Sequence, residues 1–201
     1  ATEVDFFGIA TAERLVARGQ SADLIAANNV LAHVPDIRDF VTGFARMLKP
    51  EGVATFEFPH LLNMIEKVQF DTIYHEHYSY LSLHAVKTIF EACGLRIFDI
   101  EHLPTHGGSL RVFTCRKSAK HLETTAVSTT LAAEREAGLA DAESAAYRGF
   151  SAKAEHARTS FLTFLQKCKE EKKSVAGYGA AAKGNTFLNY CGLGADALTM
   201  I

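Results

Sequence analysis

Two apolar runs with an amphipathic segment between them constrain the fold of this chain more than any other feature. Residues 23–31, DLIAANNVL, form an apolar run broken by Asn28 and Asn29, the pattern of a buried parallel strand. After Pro35, the residues Ile37, Phe40, Val41, Phe44, Met47 and Leu48 recur at helical spacing, and Lys49-Pro50-Glu51-Gly52 ends that helix. GVATFEF at 52–58 then gives a second strand, stopped by Pro59. Strand, helix and strand in this order make a βαβ unit, which requires a parallel sheet.

The rest of the chain extends that sheet and then leaves it. A short helix over 60–67 precedes the stretch FDTIYHEHYSYLS (70–82), and a helix over 83–93 follows, with Val86, Ile89 and Phe90 inward and Gly94 at its end. LRIFDIEHL and SLRVFTCR are two further strands, and Gly107 and Gly108 of the intervening THGG turn favour a tight reversal. They predict an antiparallel pair, hence a mixed sheet with one reversed edge. Residues 118–172 change character: alanine, glutamate and lysine dominate and proline is absent. Phe150, Ala154, Ala157, Phe161, Phe164, Leu165 and Cys168 trace one helical face there, predicting one or two helices that act as a solvated connector. KSVAGYGAAAKGNTFLNYCG (173–192) has the order strand, glycine turn, helix, the start of a second Rossmann-like unit. The expected organisation is 1–117, a connector over 118–172, and 173–201.

Composition excludes several function classes. With 48% apolar and 22% charged residues, the chain can bury an ordinary core. A net charge of −2 without a basic run gives no reason to expect nucleic acid or an anionic membrane as partner. No apolar run approaches the roughly 18 residues that span a bilayer, and ATEVDFFG lacks the features of a signal peptide. Cys93, Cys115, Cys168 and Cys191 lie far apart with no CxxC, which fits reduced thiols and a cytoplasmic setting. The chain opens directly into VDFF and stops in the apolar ALTMI, so it is expected to be a segment of a longer protein.

Three stretches carry candidate chemistry. In YHEHY, a zinc reading would need His75, Glu76 and His77 to converge, but residues two apart share a face only on a strand and diverge by about 200° on a helix. The spacing is not HExxH, so metal binding is disfavoured. A polar surface turn remains open. Acid–base work is favoured, because a histidine beside a glutamate with a tyrosine nearby supplies a base, an orienting group and a donor. The stretch also follows a parallel strand, where pockets form in open α/β sheets. Asn28 and Asn29, with His33 beyond them, suit either a ligand's polar groups or a turn and helix cap. GYGAAAKGN, with Gly177 and Gly179 after a strand and Lys183 at a helix start, suits either a phosphate cradle or close strand–helix packing. It matches neither GxGxxG nor a Walker motif.

Taken in order, ANNVLAHVPD, LKPEGVATFEFP, FDTIYHEHYSYLS, LPTHGGSLRVF and GYGAAAKGNTFLNYCG resemble the S-adenosylmethionine-dependent sugar C-methyltransferases, exemplified by carbon-3 methyltransferases of nucleotide-linked 4-keto deoxysugars. The resemblance covers nearly the whole chain. It implies an α/β fold: part of a class I methyltransferase sheet ending in an antiparallel hairpin, a helical linker, and the start of a second Rossmann-like domain, with the nucleotide sugar between the two. It further implies His77 as general base, Glu76 as an orienting or polarising group, Tyr74 as a substrate ligand, and His33 across the pocket near the keto oxygen. Asp5, Phe6, Asn28 and Asn29 would meet S-adenosyl-L-methionine. Arg111, Lys183 and Asn185 are the candidates for the substrate's phosphate end, on mainly physical grounds. No metal is required for this chemistry.

The same family has an N-terminal zinc-binding domain and an acidic, glycine-rich cofactor loop, and neither stretch occurs in these 201 residues. The chain is therefore expected to begin near the third strand of the sheet, to stop inside the second domain, and to bind the cofactor poorly alone. Two other readings stay open: a non-catalytic nucleotide-sugar-binding domain, and an NAD-dependent sugar oxidoreductase.

Overall fold

A computed structural model describes residues 2–179, 181–194 and 197–200. The first helix, α1 (Ile9–Ala17), leads into strand β1 (Ala22–Asn28), helix α2 (Ile37–Met47) and strand β2 (Leu48–Pro59). Asp36 starts α2, its carboxylate accepting from the amides of Arg38 and Asp39 at 3.1 and 2.9 Å. The helix then buries Phe40, Val41 and Phe44. β1 and β2 pair in parallel, with Leu24 opposite Val53 and Asn28 opposite Glu57, so the βαβ unit forms as expected. β1 ends at Asn28, sooner than the apolar run suggests. It is also not buried: among the described residues it pairs only with β2, and Leu24 is 65% exposed.

Helix α3 (Leu61–Glu66) and a 3₁₀ turn (Phe70–Thr72) follow, then helix α4 (Leu83–Ala92), strand β3 (Leu95–Leu103) and strand β4 (Ser109–Arg116). The hairpin is antiparallel, as the THGG turn predicts, and that turn places His106 at φ 52° and Gly108 at φ 131°. The reversed strand is not the edge, however. The order is β1-β2-β4-β3, so β4 inserts antiparallel between β2 and β3, and the edge strand β3 runs with β1 and β2. Placing β4 there lets Leu110, Val112 and Cys115 be fully buried. The core is a run of aromatic rings from α2 through β2 to α4, with Phe44–Phe56 centroids at 4.5 Å and Phe56–Phe90 at 4.8 Å.

Helices α5 (Thr125–Glu136) and α6 (Ala145–Glu170) occupy the stretch expected to be a solvated connector. For α5 that expectation fails. It packs on β3 and α4, and it buries Val127, Thr130 and Glu134. Glu134, 1% exposed, is buried because its carboxylate takes the Leu83 and His84 amides that begin α4, together with His60 Nε2 at 2.7 Å. On α6 only Ala154 is fully buried, and Phe164 is 51% exposed. A short strand β5 (Ala176–Gly177), helix α7 (Ala182–Cys191) and strand β6 (Thr199–Met200) complete the order, with β5 and β6 parallel. No described helix is long and apolar enough to cross a membrane. All four cysteines are free thiols.

Candidate active site

The 70–82 stretch crosses the carboxyl ends of β1 and β2 and is pinned to both. The amides of Tyr78 and Ser79 donate to the Ala32 carbonyl beyond β1, at 2.9 and 3.3 Å. Beyond β2, His60 bridges to Leu81, and the Leu61 amide donates to Leu81 O at 3.0 Å. Between these anchors the chain is irregular, and its shape brings side chains together.

His77 Nδ1 lies 2.8 Å from the main-chain oxygen of Thr72. A carbonyl only accepts, so Nδ1 carries a proton, and in the neutral ring the lone pair is therefore on Nε2. His33 meets the stretch similarly: its Nδ1 lies 3.0 Å from Glu76 O and must donate to it. The two imidazole centroids are 4.7 Å apart. Tyr74 packs on the His77 ring at 4.7 Å and Tyr80 approaches it edge-on at 5.8 Å. Burial pushes the Tyr80 phenol above its ordinary range, which keeps it a neutral hydrogen-bond donor. A small cavity of about 30 Å³, lined among others by Ala32, Met64, Thr72, His77 and Tyr80, lies in this cluster. Tyr74, His77 and His33 are thus brought together. Glu76 joins through its carbonyl, while its residue as a whole is exposed, as is His75. Among the described residues, no group of three or more His, Cys, Asp or Glu side chains is placed to hold a metal ion.

A second group flanks the first at the end of β1. Asn29 adopts φ 59°, its amide continues the ladder to Glu57 O at 2.8 Å, and its Nδ2 lies 3.1 Å from His106 Nε2. His106, on the THGG turn, has no counterpart among the expected residues. The signal for it is a histidine held at positive φ where glycine would be easier. That turn is clasped from outside, with Lys67 Nζ donating to Gly107 O and the His60 amide to Gly108 O at 3.0 Å. A Cβ on Gly108 would lie 2.5 Å from Asn63 Cγ, so the turn needs glycine there. Asn28 is exposed beside Asn29. Upstream, Asp5 accepts from the Phe6 amide at 2.8 Å and from Arg14 at 2.9 Å, and Arg14 holds its carboxyl below the usual range. The Phe6 ring is 96% exposed.

The three residues expected at a phosphate divide. Arg111 is committed elsewhere: its two terminal nitrogens donate to Glu57 at 2.9 Å and Glu101 at 2.8 Å, which raises its already high pKa. A guanidinium held between two carboxylates is not a free phosphate ligand. Glu57 needs that partner, because it is 7% exposed and among the described residues its carboxylate otherwise accepts only from Thr105 Oγ1 at 3.0 Å. Lys183 and Asn185 lie in the first turns of α7, Lys183 half-buried and Asn185 exposed.

Comparison with known proteins adds a relationship to this geometry. Residues 4–100 match the family model described as a methyltransferase domain, and residues 104–201 match the C-methyltransferase C-terminal domain. The chain is also 38% identical over 182 residues to the C-methyltransferase NovU of Streptomyces niveus, covering 90% of this chain and 43% of that protein. It belongs to the C-methyltransferases. The chain spans less than half the length of this relative. The two family models meet at residues 100–104, inside the β3–β4 hairpin, so β4 completes the sheet of one matched region while lying in the other.

Likenesses to solved structures are more distant. The methyltransferase in complex with the Haloferax volcanii Trm112 activator is 15% identical, with a TM-score of 0.41, covering 48% of this chain and 55% of that one. Magnesium protoporphyrin IX methyltransferase from Synechocystis, solved with bound SAH, is 15% identical, with a TM-score of 0.38, covering 49% and 47%. At such scores nothing about this chain follows from them.

Proposed function

We propose that this chain forms the proton-abstracting part of an S-adenosylmethionine-dependent C-methyltransferase acting on a nucleotide-linked keto-deoxysugar. The observation that carries the reading is the anchoring of His77: with Nδ1–H tied to Thr72 O, Nε2 is left as an oriented proton acceptor beyond the carboxyl end of a parallel strand. A carbon next to a ketone is acidic enough for such a base if the enolate oxygen is stabilised. The C–H bond breaks, the proton goes to Nε2, and the electron pair held as the enolate would form the new C–C bond as the donor's methyl–sulfur bond breaks and its electrons return to sulfur, leaving a neutral thioether.

S-adenosylmethionine, when bound, supplies the methyl group as an electrophile. The Asn28 and Asn29 amides at the end of β1 suit its polar amino and hydroxyl groups, and the exposed Phe6 with the pinned Asp5 carboxylate, which precede α1, would offer an aromatic face and an acceptor. Asn29 is oriented by His106, which gives that amide a defined donor direction. Tyr74 bonds the sugar beside the base, and Glu76 polarises the site from its rim. His33 faces the keto oxygen. Since its Nδ1–H is spent on Glu76 O, it donates to that oxygen only when Nε2 also carries a proton. Lys183 and Asn185 take the phosphates, and Arg111 does not.

The test uses full-length protein with labelled S-adenosylmethionine and a nucleotide 4-keto sugar, which should give a carbon-methylated product. His77→Asn is the informative variant, because an amide can replace the donor to Thr72 O but not the basic nitrogen. It should lower kcat by about 10²–10⁴-fold with cofactor affinity retained. An unchanged rate removes His77 as the base.

A further inference from the structure

Helix α7 carries an aromatic pair, Phe187 and Tyr190, three residues apart and so on one face. Both rings close on Phe70, with centroids at 6.0 and 5.0 Å. Phe161 of α6 backs Phe187 at 5.0 Å, and the Tyr190 hydroxyl donates to Glu155 of α6 at 3.2 Å. Phe70 is thus the point where the 70–82 stretch inserts into a cluster built from the two C-terminal helices.

Phe70 also opens the 3₁₀ turn whose last residue is Thr72, and Thr72 O is the acceptor that orients His77. The turn itself is a single three-residue piece, closed by the Thr72 amide to Gln69 O at 3.2 Å and the Ile73 amide to Phe70 O at 3.0 Å. So short a 3₁₀ segment has little stability of its own and takes its direction from what its side chains pack against. Thr72 is buried and its hydroxyl is bound to Gln69 O at 2.8 Å, so the Thr72 carbonyl moves with the turn. From the α7 rings to the imidazole there are therefore two residues of chain and one hydrogen bond.

We propose that Phe187 and Tyr190 are positioning residues for proton abstraction, acting through Phe70 and the Thr72 carbonyl to aim His77. The inference rests on His77 being the base, as above, and it adds that the C-terminal helices complete a site whose reacting groups all lie earlier in the chain. Lys183 sits on the first turn of the same helix, so the helix that meets the substrate's phosphate end also sets the base.

The test compares full-length wild type with Phe187→Ala, Tyr190→Ala and the milder Phe187→Leu, which keeps an apolar side chain in the cluster should the alanine form not fold. Two readouts are taken: kcat and KM for S-adenosylmethionine, and the nitrogen-15 imidazole spectrum that reports the Nδ1–H form of His77. A displacement of the order of an ångström should cost about 10–100-fold in kcat with the cofactor KM within about twofold. The His77 Nδ1–H signal should broaden or give way to a tautomer mixture. Phe187→Tyr, which keeps the ring contact, should restore both. A kcat near wild type, or a lost kcat with the His77 signal unchanged, overturns the proposal. If wild type proves to catalyse no methyl transfer, the spectrum alone decides: a signal that changes with Phe187 upholds the link while the functional reading falls, and an unchanged one overturns the link as well.

Discussion

Removing the Glu134 carboxylate should destabilise the protein more than its place on a charged helix suggests. The side chain is 2% exposed and serves three donors: His60 Nε2 at 2.7 Å, the Leu83 amide on the same oxygen, and the His84 amide at 2.9 Å on the other. His60 and Leu83 are buried, while the His84 amide is part-buried on an otherwise exposed residue. A buried donor left unsatisfied costs about 1–3 kcal/mol, and breaking a buried ionic or charge-assisted cluster from one side costs about 3–5 kcal/mol. Glu134→Ala should therefore lose about 3–5 kcal/mol, a large share of the 5–15 kcal/mol that holds a typical domain together. Glu134→Gln should lose less, about 1–3 kcal/mol, because its one oxygen still serves two donors while its NH₂ faces the third. Urea unfolding of both variants at constant slope measures these values. Hydrogen exchange should show the Leu83 and His84 amides opening first, since they begin α4 and lose their carboxylate acceptor. A loss below about 1 kcal/mol for Glu134→Ala would refute the view that α5 is locked to the α4 N-terminus by this carboxylate.

Two other outcomes follow from buried charge and burial-shifted groups. Arg111→Met should cost about 3 kcal/mol in urea unfolding, by leaving Glu57 buried without its cation, and should leave the KM for the sugar nucleotide near wild type; a large rise in KM with stability intact would restore Arg111 as a phosphate ligand. Burial raises the thiols of Cys115 and Cys191 and the phenols of Tyr80 and Tyr147. The unfolded chain therefore gives up these protons first. Their stabilising contribution is full below the unfolded values and should decline from about pH 8.5 upward. Urea midpoints at rising pH check this, and Cys115→Ala should flatten the decline.

What could be read from the residues was whatever depends on local period. The βαβ unit follows from apolar spacing at 37–48 and two bounded runs, and its parallel register is the one observed. Tyr74 and His77 could be singled out because titratable rings crowd a loop after a parallel strand. What could not be read depends on partners far away in the chain. In pairing with β2, β4 meets residues 50 to 62 positions earlier, so its insertion inside the sheet leaves no local trace. Glu134 looks like an ordinary solvated glutamate until its partners, His60, Leu83 and His84, are brought to it. Arg111 suggested a phosphate because nothing nearby in sequence shows Glu57 and Glu101 on either side of it. β1 has the composition of a buried strand, and only the pairing shows its exposed face.

The orienting groups of the two imidazoles, both main-chain carbonyls, bear on how the site would work. A carboxylate orienter would have to be ionised to hold its histidine, so the aim of the ring would depend on a second titration. Thr72 O and Glu76 O do not titrate, and the Nδ1–H directions of His77 and His33 are set by backbone shape alone. Both carbonyls belong to one short stretch, pinned at Ala32 on one side and at His60 and Leu61 on the other. A shift of that stretch would move the two rings together and keep their 4.7 Å separation more nearly constant than their aim at a substrate. Precision in this site is therefore a matter of loop placement, which is why a residue remote from the chemistry such as Phe187 should affect the rate through the stretch it holds.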